Sequence, residues 1–135
     1  MNVLLSIKPK YIKEMRAGNK KYEFRKNIWK NSTKVGKVYI YSSSPIKKIV
    51  GIFTLGNVYE DNPGNLWKNF KDFSGLDEEE FFNYFKNCEK GFAIEIKTIE
   101  FFDVPIDPFQ DFSNFKPPQS FYYINKNNSS YMMCI

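Results

Sequence analysis

The chain of 135 residues contains no histidine. That absence excludes Ser-His-Asp and Cys-His catalysis, histidine-ligated metals and imidazole acid–base work. Its two cysteines, Cys88 and Cys134, are too few and too far apart for a zinc cluster or a disulfide framework. Arginine is nearly missing, with Arg16 and Arg25 the only two, while lysine and asparagine abound, a bias that AT-rich coding alone would produce. No apolar run is long enough to cross a bilayer. The opening MNVLLSIKPK holds too few apolar residues before Lys8 for a secretory leader. The expectation is a soluble cytoplasmic protein with reduced thiols, no membrane partner, no metal and no cofactor.

What is present is a globular composition. Hydrophobic residues make up 42% and charged residues 26%, and aromatics reach 19%, so one ring-rich core is expected. The net charge of +5 is unevenly spread. Residues 1–50 carry 13 cations against Glu14 and Glu23, a net of +11; residues 51–135 carry 7 lysines against 13 acids, a net of −6. A basic face built by the first third of the chain implies a polyanion or a phosphate-bearing ligand as partner.

Hydrophobic periodicity orders the elements. Residues 2–8 alternate as a strand that puts Ser6 and Lys8 on one face. Pro9 starts a helix with an apolar stripe of Tyr11, Ile12 and Met15, and Gly18 ends it. Strands are expected over 20–26, 37–42 and 47–59, the last with Gly51 and Gly56 as bulge or bend points. Helices are expected over 65–73 and 77–87, the second opened by acids and carrying Phe81, Phe82 and Phe85 on its apolar face. Residues 91–102 and 120–124 read as strands, with 104–108 extended but unable to donate a full ladder. The order implies an α+β fold, a small, partly open, mostly antiparallel β-barrel with capping helices, and excludes a regularly alternating parallel sheet. One domain is expected over 1–124, followed by a loosely ordered tail over 125–135.

The densest polar cluster runs from Gly18 to Arg25. On a strand, Lys21, Glu23 and Arg25 share a face at roughly 6.5–7 Å spacing, so a carboxylate stands between two cations. Such a carboxylate accepts from a base or amide edge while Arg25 meets a phosphate or carbonyl; an ordinary solvated face would carry the same pattern.

Gly18, Lys20, Glu23 and Arg25 match a G-x-K-x-x-E-x-R signature, and on it the chain resembles the ASCH domains of the PUA-like superfamily. Ser6-x-Lys8-Pro9 leading into a short helix, the segment Val35 to Tyr41, and Phe115 to Phe121 look like bacterial and archaeal members; the resemblance spans residues 3–124. It implies a PUA-like pseudo-barrel with a cleft between barrel and first helix, lined by the signature, that binds RNA or a free or modified nucleobase. One branch of the family hydrolyses the amide of N4-acetylcytidine with a lysine base and a threonine nucleophile. Lys20 stands at the lysine position, but Glu23 replaces the threonine, and a carboxylate does not substitute for a hydroxyl nucleophile without changing the chemistry. Another branch has been linked to cleavage of single-stranded RNA.

The expected ligand-binding set is Ser6, Lys8, Lys20, Tyr22, Glu23, Arg25, Tyr41, Ser42, Ser43, Lys116, Gln119 and Ser120. Glu23 and Gln119 would read a base edge, Tyr22 or Tyr41 would stack, and Lys8, Lys20 and Arg25 would meet phosphate. Ser42 and Ser43 belong to a turn whose hydroxyls and amides suit phosphate, and Lys116 and Ser120 flank the stiff Pro117-Pro118. Trp29 and Trp67, beside loops, are further stacking candidates. The reading is a module that binds RNA or a nucleotide, with DNA as a second polymer. An alternative is a metal-independent hydrolase of a nucleoside or RNA with Lys20 as base and Glu23 as acid. A protein-interaction module is the second alternative.

Overall fold

The computed structural model describes residues 1–30, 34–125 and 132–134. β1 (Asn2–Ile7) leads into α1 (Pro9–Arg16), with proline at the first helical position, where no amide donor is needed. Ile12 and Met15 turn α1 onto the core, and Gly18, at φ +81°, carries the chain out of the helix. Then come β2 (Tyr22–Arg25), β3 (Val38–Ser42), β4 (Lys48–Asp61), α2 (Pro63–Phe70), a 3₁₀ turn (Lys71–Phe73), α3 (Glu78–Tyr84), β5 (Gly91–Ile106), α4 (Pro108–Asp111), β6 (Phe121–Asn125) and β7 (Met132–Cys134). No helix among the described residues is long and apolar enough to cross a membrane.

One mixed sheet in the order β2-β5-β4-β3-β1-β6-β7 curls into a half-barrel with the helices against it, the α+β pseudo-barrel expected above. Every neighbouring pair is antiparallel except β1 with β3, where Leu5 stands against Ile40. β1 is covered on both faces. Val3, Leu5 and Ile7 enter the main core with Val38, Ile40 and Phe53, while Leu4 joins a second cluster with Tyr39, Tyr41 and Tyr122. The long β4–β5 pair breaks register around Gly51 and again between Thr54 and Val58, a span that includes Gly56. The strand expected over 91–102 runs further, and the extended stretch from 104 that cannot donate a full ladder is its continuation. β5 runs to Ile106, and the ladder passes from Gly51↔Phe101 to Ile49↔Ile106, so Pro105 sits in the skipped stretch where its missing N–H breaks no pair.

The insertion between β4 and β5 caps one end. The helix expected over 65–73 starts earlier, at Pro63, because the Asn62 side chain accepts from the Asn65 amide, and it tightens into the 3₁₀ turn after Phe70. Asp77 and Glu80 form a reciprocal capping box that starts α3. Phe81 is fully buried, edge-on to Phe24 of β2 at 5.1 Å and 89°, with Phe85 at 5.0 Å. α4 and β7 were not anticipated. Part of the expected tail, residues 126–131 and 135, lies outside the described residues; Met132–Cys134 pair with β6.

Because Phe81 is the rivet between cap and sheet, Phe81→Ala is expected to cost about 3–5 kcal/mol in denaturant unfolding. Val104→Ala, at a side chain 81% exposed, should change stability by less than about 0.5 kcal/mol.

Candidate functional site

Three charged side chains meet under the open edge of β2. The Lys20 ammonium donates to the Ser74 carbonyl at 2.8 Å and lies 3.4 Å from Glu23 Oε1. Arg25 donates to Glu23 Oε2 from Nε at 3.0 Å and from Nη2 at 2.6 Å. Its Nη2 also reaches the Ser6 carbonyl at 2.7 Å, and Nη1 the Ser120 hydroxyl at 3.4 Å. The three side chains are only 1%, 7% and 12% exposed, so each charge depends on the others for the solvation it has lost. Arg25 thereby ties β2 to β1 and to the segment entering β6, two places no β2 ladder reaches.

Strand spacing alone puts Lys21 beside Glu23, but it is Lys20, the lysine of the expected binding set, that stands there. Lys21 is exposed, its ammonium 4.4 Å over the Phe73 ring, whereas Lys20 turns inward. The reason is that residues 20–21 precede the regular strand. Lys20 makes an isolated bridge to Ser74, and the Lys21 amide donates to the Phe73 carbonyl, so β2's alternation does not extend back to them. The turn that receives Lys20 is self-fastened, since the Ser74 hydroxyl accepts from the Leu76 amide and shares its one proton between the carbonyls of Lys71 and Leu76, each at 3.0 Å. Gly75, at φ +71°, lies against the lysine stem; a Cβ there would stand 2.6 Å from Lys20 Cβ. The rings of Phe24 at 5.1 Å and Tyr11 at 5.6 Å flank the ammonium. Burial lowers the Lys20 pKa, and the Glu23 carboxylate opposes that shift.

Above this network opens a cleft of about 510 Å³, within the range of small-molecule sites. It gathers Ser6, Lys8, Lys20, Glu23, Arg25, Ser43, Gln119 and Ser120 from the expected set. Four expected residues are elsewhere. Tyr22 packs on Phe70 at 4.5 Å, because its neighbours Glu23 and Arg25 take the cleft side of β2. Tyr41 is buried against Phe115 at 5.6 Å, and Ser42 beside it is buried too. Lys116 does not line the cleft; its carbonyl accepts from the Tyr122 hydroxyl. Nor are the tryptophans free platforms. Trp29 is buried edge-on to Phe121, and Trp67 packs in the cap, tilted against Phe81 and edge-on to Phe82.

Sequence reasoning missed Tyr11, Lys26, Leu76 and Tyr84, all of which line the cleft. Tyr11 read only as part of an apolar helix stripe, and the other three carried no motif. The Tyr11 hydroxyl donates to Glu80 at 3.3 Å, and the Lys10 ammonium pairs with the same carboxylate, holding its pKa below the usual value. The cleft therefore offers a carboxyl acceptor at Glu23, a donor edge at Arg25 Nη1, hydroxyls, and the apolar side chains of Phe24 and Leu76, a set that fits a flat polar ring with an attached anion. No group of three or more His, Cys, Asp or Glu among the described residues is placed to hold a metal.

A profile of the ASCH domain matches residues 5–100. Over 134 residues the chain is 24% identical to a protein named ASCH domain-containing ribonuclease from Zymomonas mobilis, covering 98% of this chain and 90% of that one. The crystal structure of ASCH from Zymomonas mobilis superposes with a TM-score of 0.83 at 26% identity, over 93% of this chain and 88% of that one. A stretch of 91 residues, 67% of this chain, is 29% identical to a protein named large ribosomal subunit protein uL22 from Ureaplasma parvum, of which it spans 29%.

Glu23→Gln leaves Lys20 and Arg25 facing each other without their shared anion, and a loss of about 3–5 kcal/mol is expected in chemical denaturation at neutral pH. The lowered Lys20 pKa means that the unfolded chain holds more protons between that value and 10.5. Wild-type stability relative to Lys20→Met should therefore rise with pH across that window and level off above it. Paired unfolding curves at successive pH values check the slope.

Proposed function

This chain belongs to the ASCH domain family, and from that premise we propose that its cleft binds RNA by taking in one nucleotide. The observation that carries this reading is the paired Lys20–Glu23–Arg25 network at the floor of an open cleft large enough for a nucleotide. Glu23, with one oxygen shared by two Arg25 donors and the other 3.4 Å from the Lys20 ammonium, keeps a lone pair for an N–H of a base edge. Gln119, also in the lining, adds a donor and an acceptor. Lys8, exposed at the junction of β1 and α1, makes no ion pair among the described residues and is left for phosphate. Most of the lining comes from residues 6–27, within the third of the chain that carries the +11 charge. The names of two relatives, a ribonuclease and a ribosomal subunit protein, favour RNA over DNA.

A second reading, cleavage of the bound strand, draws on the ribonuclease name and on the buried amine of Lys20, whose affinity for its proton is lowered. In that reading a neutral Lys20 takes the proton of the 2′-hydroxyl that attacks the adjacent phosphorus, the bond from phosphorus to the 5′-oxygen breaks, and that oxygen leaves with a proton from water. Deacylation of a modified nucleoside is not favoured, because Glu23 stands where that chemistry needs a hydroxyl nucleophile.

Fluorescence anisotropy with labelled single-stranded RNA at two salt concentrations tests the binding. Wild type should bind with affinity that falls as salt rises, and Lys8→Ala should lower the salt slope by about one. Glu23→Ala and Arg25→Ala, measured where both remain folded, should lose binding at every salt. Unchanged affinity in both variants would remove the cleft from consideration. Incubating end-labelled RNA with wild type and Lys20→Met distinguishes binding from turnover: new fragments from wild type alone would favour cleavage.

A further inference from the structure

The rim of the cleft carries an aromatic ring in a fixed pose. Tyr84, the last residue of α3, lines the cleft beside Lys26 and Asn27 and is 37% exposed. A tyrosine exposed singly asks for no explanation. What sets this one apart is that it is held at two points. Its hydroxyl accepts from the Lys26 backbone amide at 3.3 Å, and its ring meets buried Phe85 at 4.8 Å and 74°. The ring therefore loses little freedom on receiving a ligand, which lowers the entropic cost of binding.

The second observation is the cation above it. The Lys26 ammonium lies 4.8 Å from the ring centroid and has no carboxylate partner among the described residues. In water such a contact is weak, so an incoming base can displace it, and the freed ammonium stays within reach of the backbone that carries that base. Lys26 follows directly on Arg25, so the platform is continuous with the Lys20–Glu23–Arg25 floor.

We infer that Tyr84 and Lys26 form a second nucleotide subsite: Tyr84 stacks the base adjacent to the one held in the cleft, and Lys26 meets the phosphate that joins them. The inference rests on the proposed binding of RNA in the cleft and narrows its ligand. A ring face at the rim is useful only to an unpaired base with a neighbour, so the ligand is an internal stretch of single strand rather than a free nucleoside or a duplex. Specificity for base identity at this subsite should be low, since every base offers a π-face.

The test compares ligand lengths. Affinities are measured for 5′-mononucleotides, dinucleoside monophosphates and hexamers of RNA, using wild type, Tyr84→Phe, Tyr84→Leu and Lys26→Gln. Wild type should gain affinity from mononucleotide to dinucleotide. Tyr84→Leu should lose about 5- to 100-fold on the dinucleotide and hexamer, the size of one base–ring stack, and leave the mononucleotide unchanged. Tyr84→Phe keeps the ring but loses the hydroxyl's tie to the Lys26 amide, so its loss on the dinucleotide and hexamer should fall between wild type and Tyr84→Leu. Lys26→Gln should weaken the dinucleotide and lower its salt slope by about one. The subsite is overturned if Tyr84→Leu binds the dinucleotide as wild type does, or if it weakens mononucleotide and dinucleotide equally. Wild type alone supplies an independent readout. A 2-aminopurine base in a hexamer should be quenched on binding when it occupies the rim, and a hexamer scanned at every position without quenching overturns the subsite even where its affinity supports binding in the cleft. Failure of wild type to bind any of these ligands overturns both readings together.

Discussion

A carboxylate withdrawn from water between two cations constrains this molecule more than any other contact. Each member of the Lys20–Glu23–Arg25 set would be strongly unfavourable in its surroundings alone. Together they neutralise most of one another's cost, provided that every remaining donor is also met. The structure meets them with main-chain oxygens. The Ser74 carbonyl receives Lys20, and the Ser6 carbonyl receives Arg25. No buried side-chain nitrogen or oxygen among the described residues is left without a partner. The positions of β1, of the turn after α2 and of the segment entering β6 are thus tied to one cluster of charge.

That cluster also closes the sheet. β2 is an edge strand, and its ladder joins it to β5 alone. Across the gap to β1 and β6 the links are side chains: Arg25 to Ser6 and Ser120, Trp29 edge-on to Phe121, and the Lys30 amide to the Tyr123 hydroxyl. A seam closed by side chains leaves space that a ladder with strands about 4.8 Å apart would fill, and the cleft occupies that space. Stability and the proposed recognition therefore share residues here. Changes at Glu23 or Arg25 loosen the seam as well as altering what the cleft presents, whereas Lys8, Tyr84 and Lys26 at the rim are free of that double duty.

The helical insertion between β4 and β5 contributes to the cleft out of proportion to its motif content. It delivers the Ser74 carbonyl, the Leu76 side chain, the Glu80 carboxylate that holds Tyr11, and the Tyr84 ring. Its own order comes from ordinary devices, the Asn62 cap, the Asp77–Glu80 capping box and the phenylalanine cluster on Phe81. The acidic start of α3 serves the helix dipole and, through Glu80, the basic first helix.

Much of this organisation was legible in the residues themselves. Alternation marks β1 to β3, Pro9 and Gly18 bracket α1, and the dense polar run from Gly18 to Arg25 marks the strand that carries the charges. Those are local properties, set by pleat, helix period and the glycine φ, and a sequence expresses them directly. What folding alone decided was which local faces became covered. Lys20 rather than Lys21 turned inward because a turn more than fifty residues away supplied a carbonyl for it. Tyr41 and Trp29 were lost to the core because Phe115 and Phe121 close over them, and Tyr84 entered the cleft because the cap packs against β2 through Phe81. Burial of a charge or a ring depends on partners distant in the chain, and periodicity, which sees only neighbours, has no term for them.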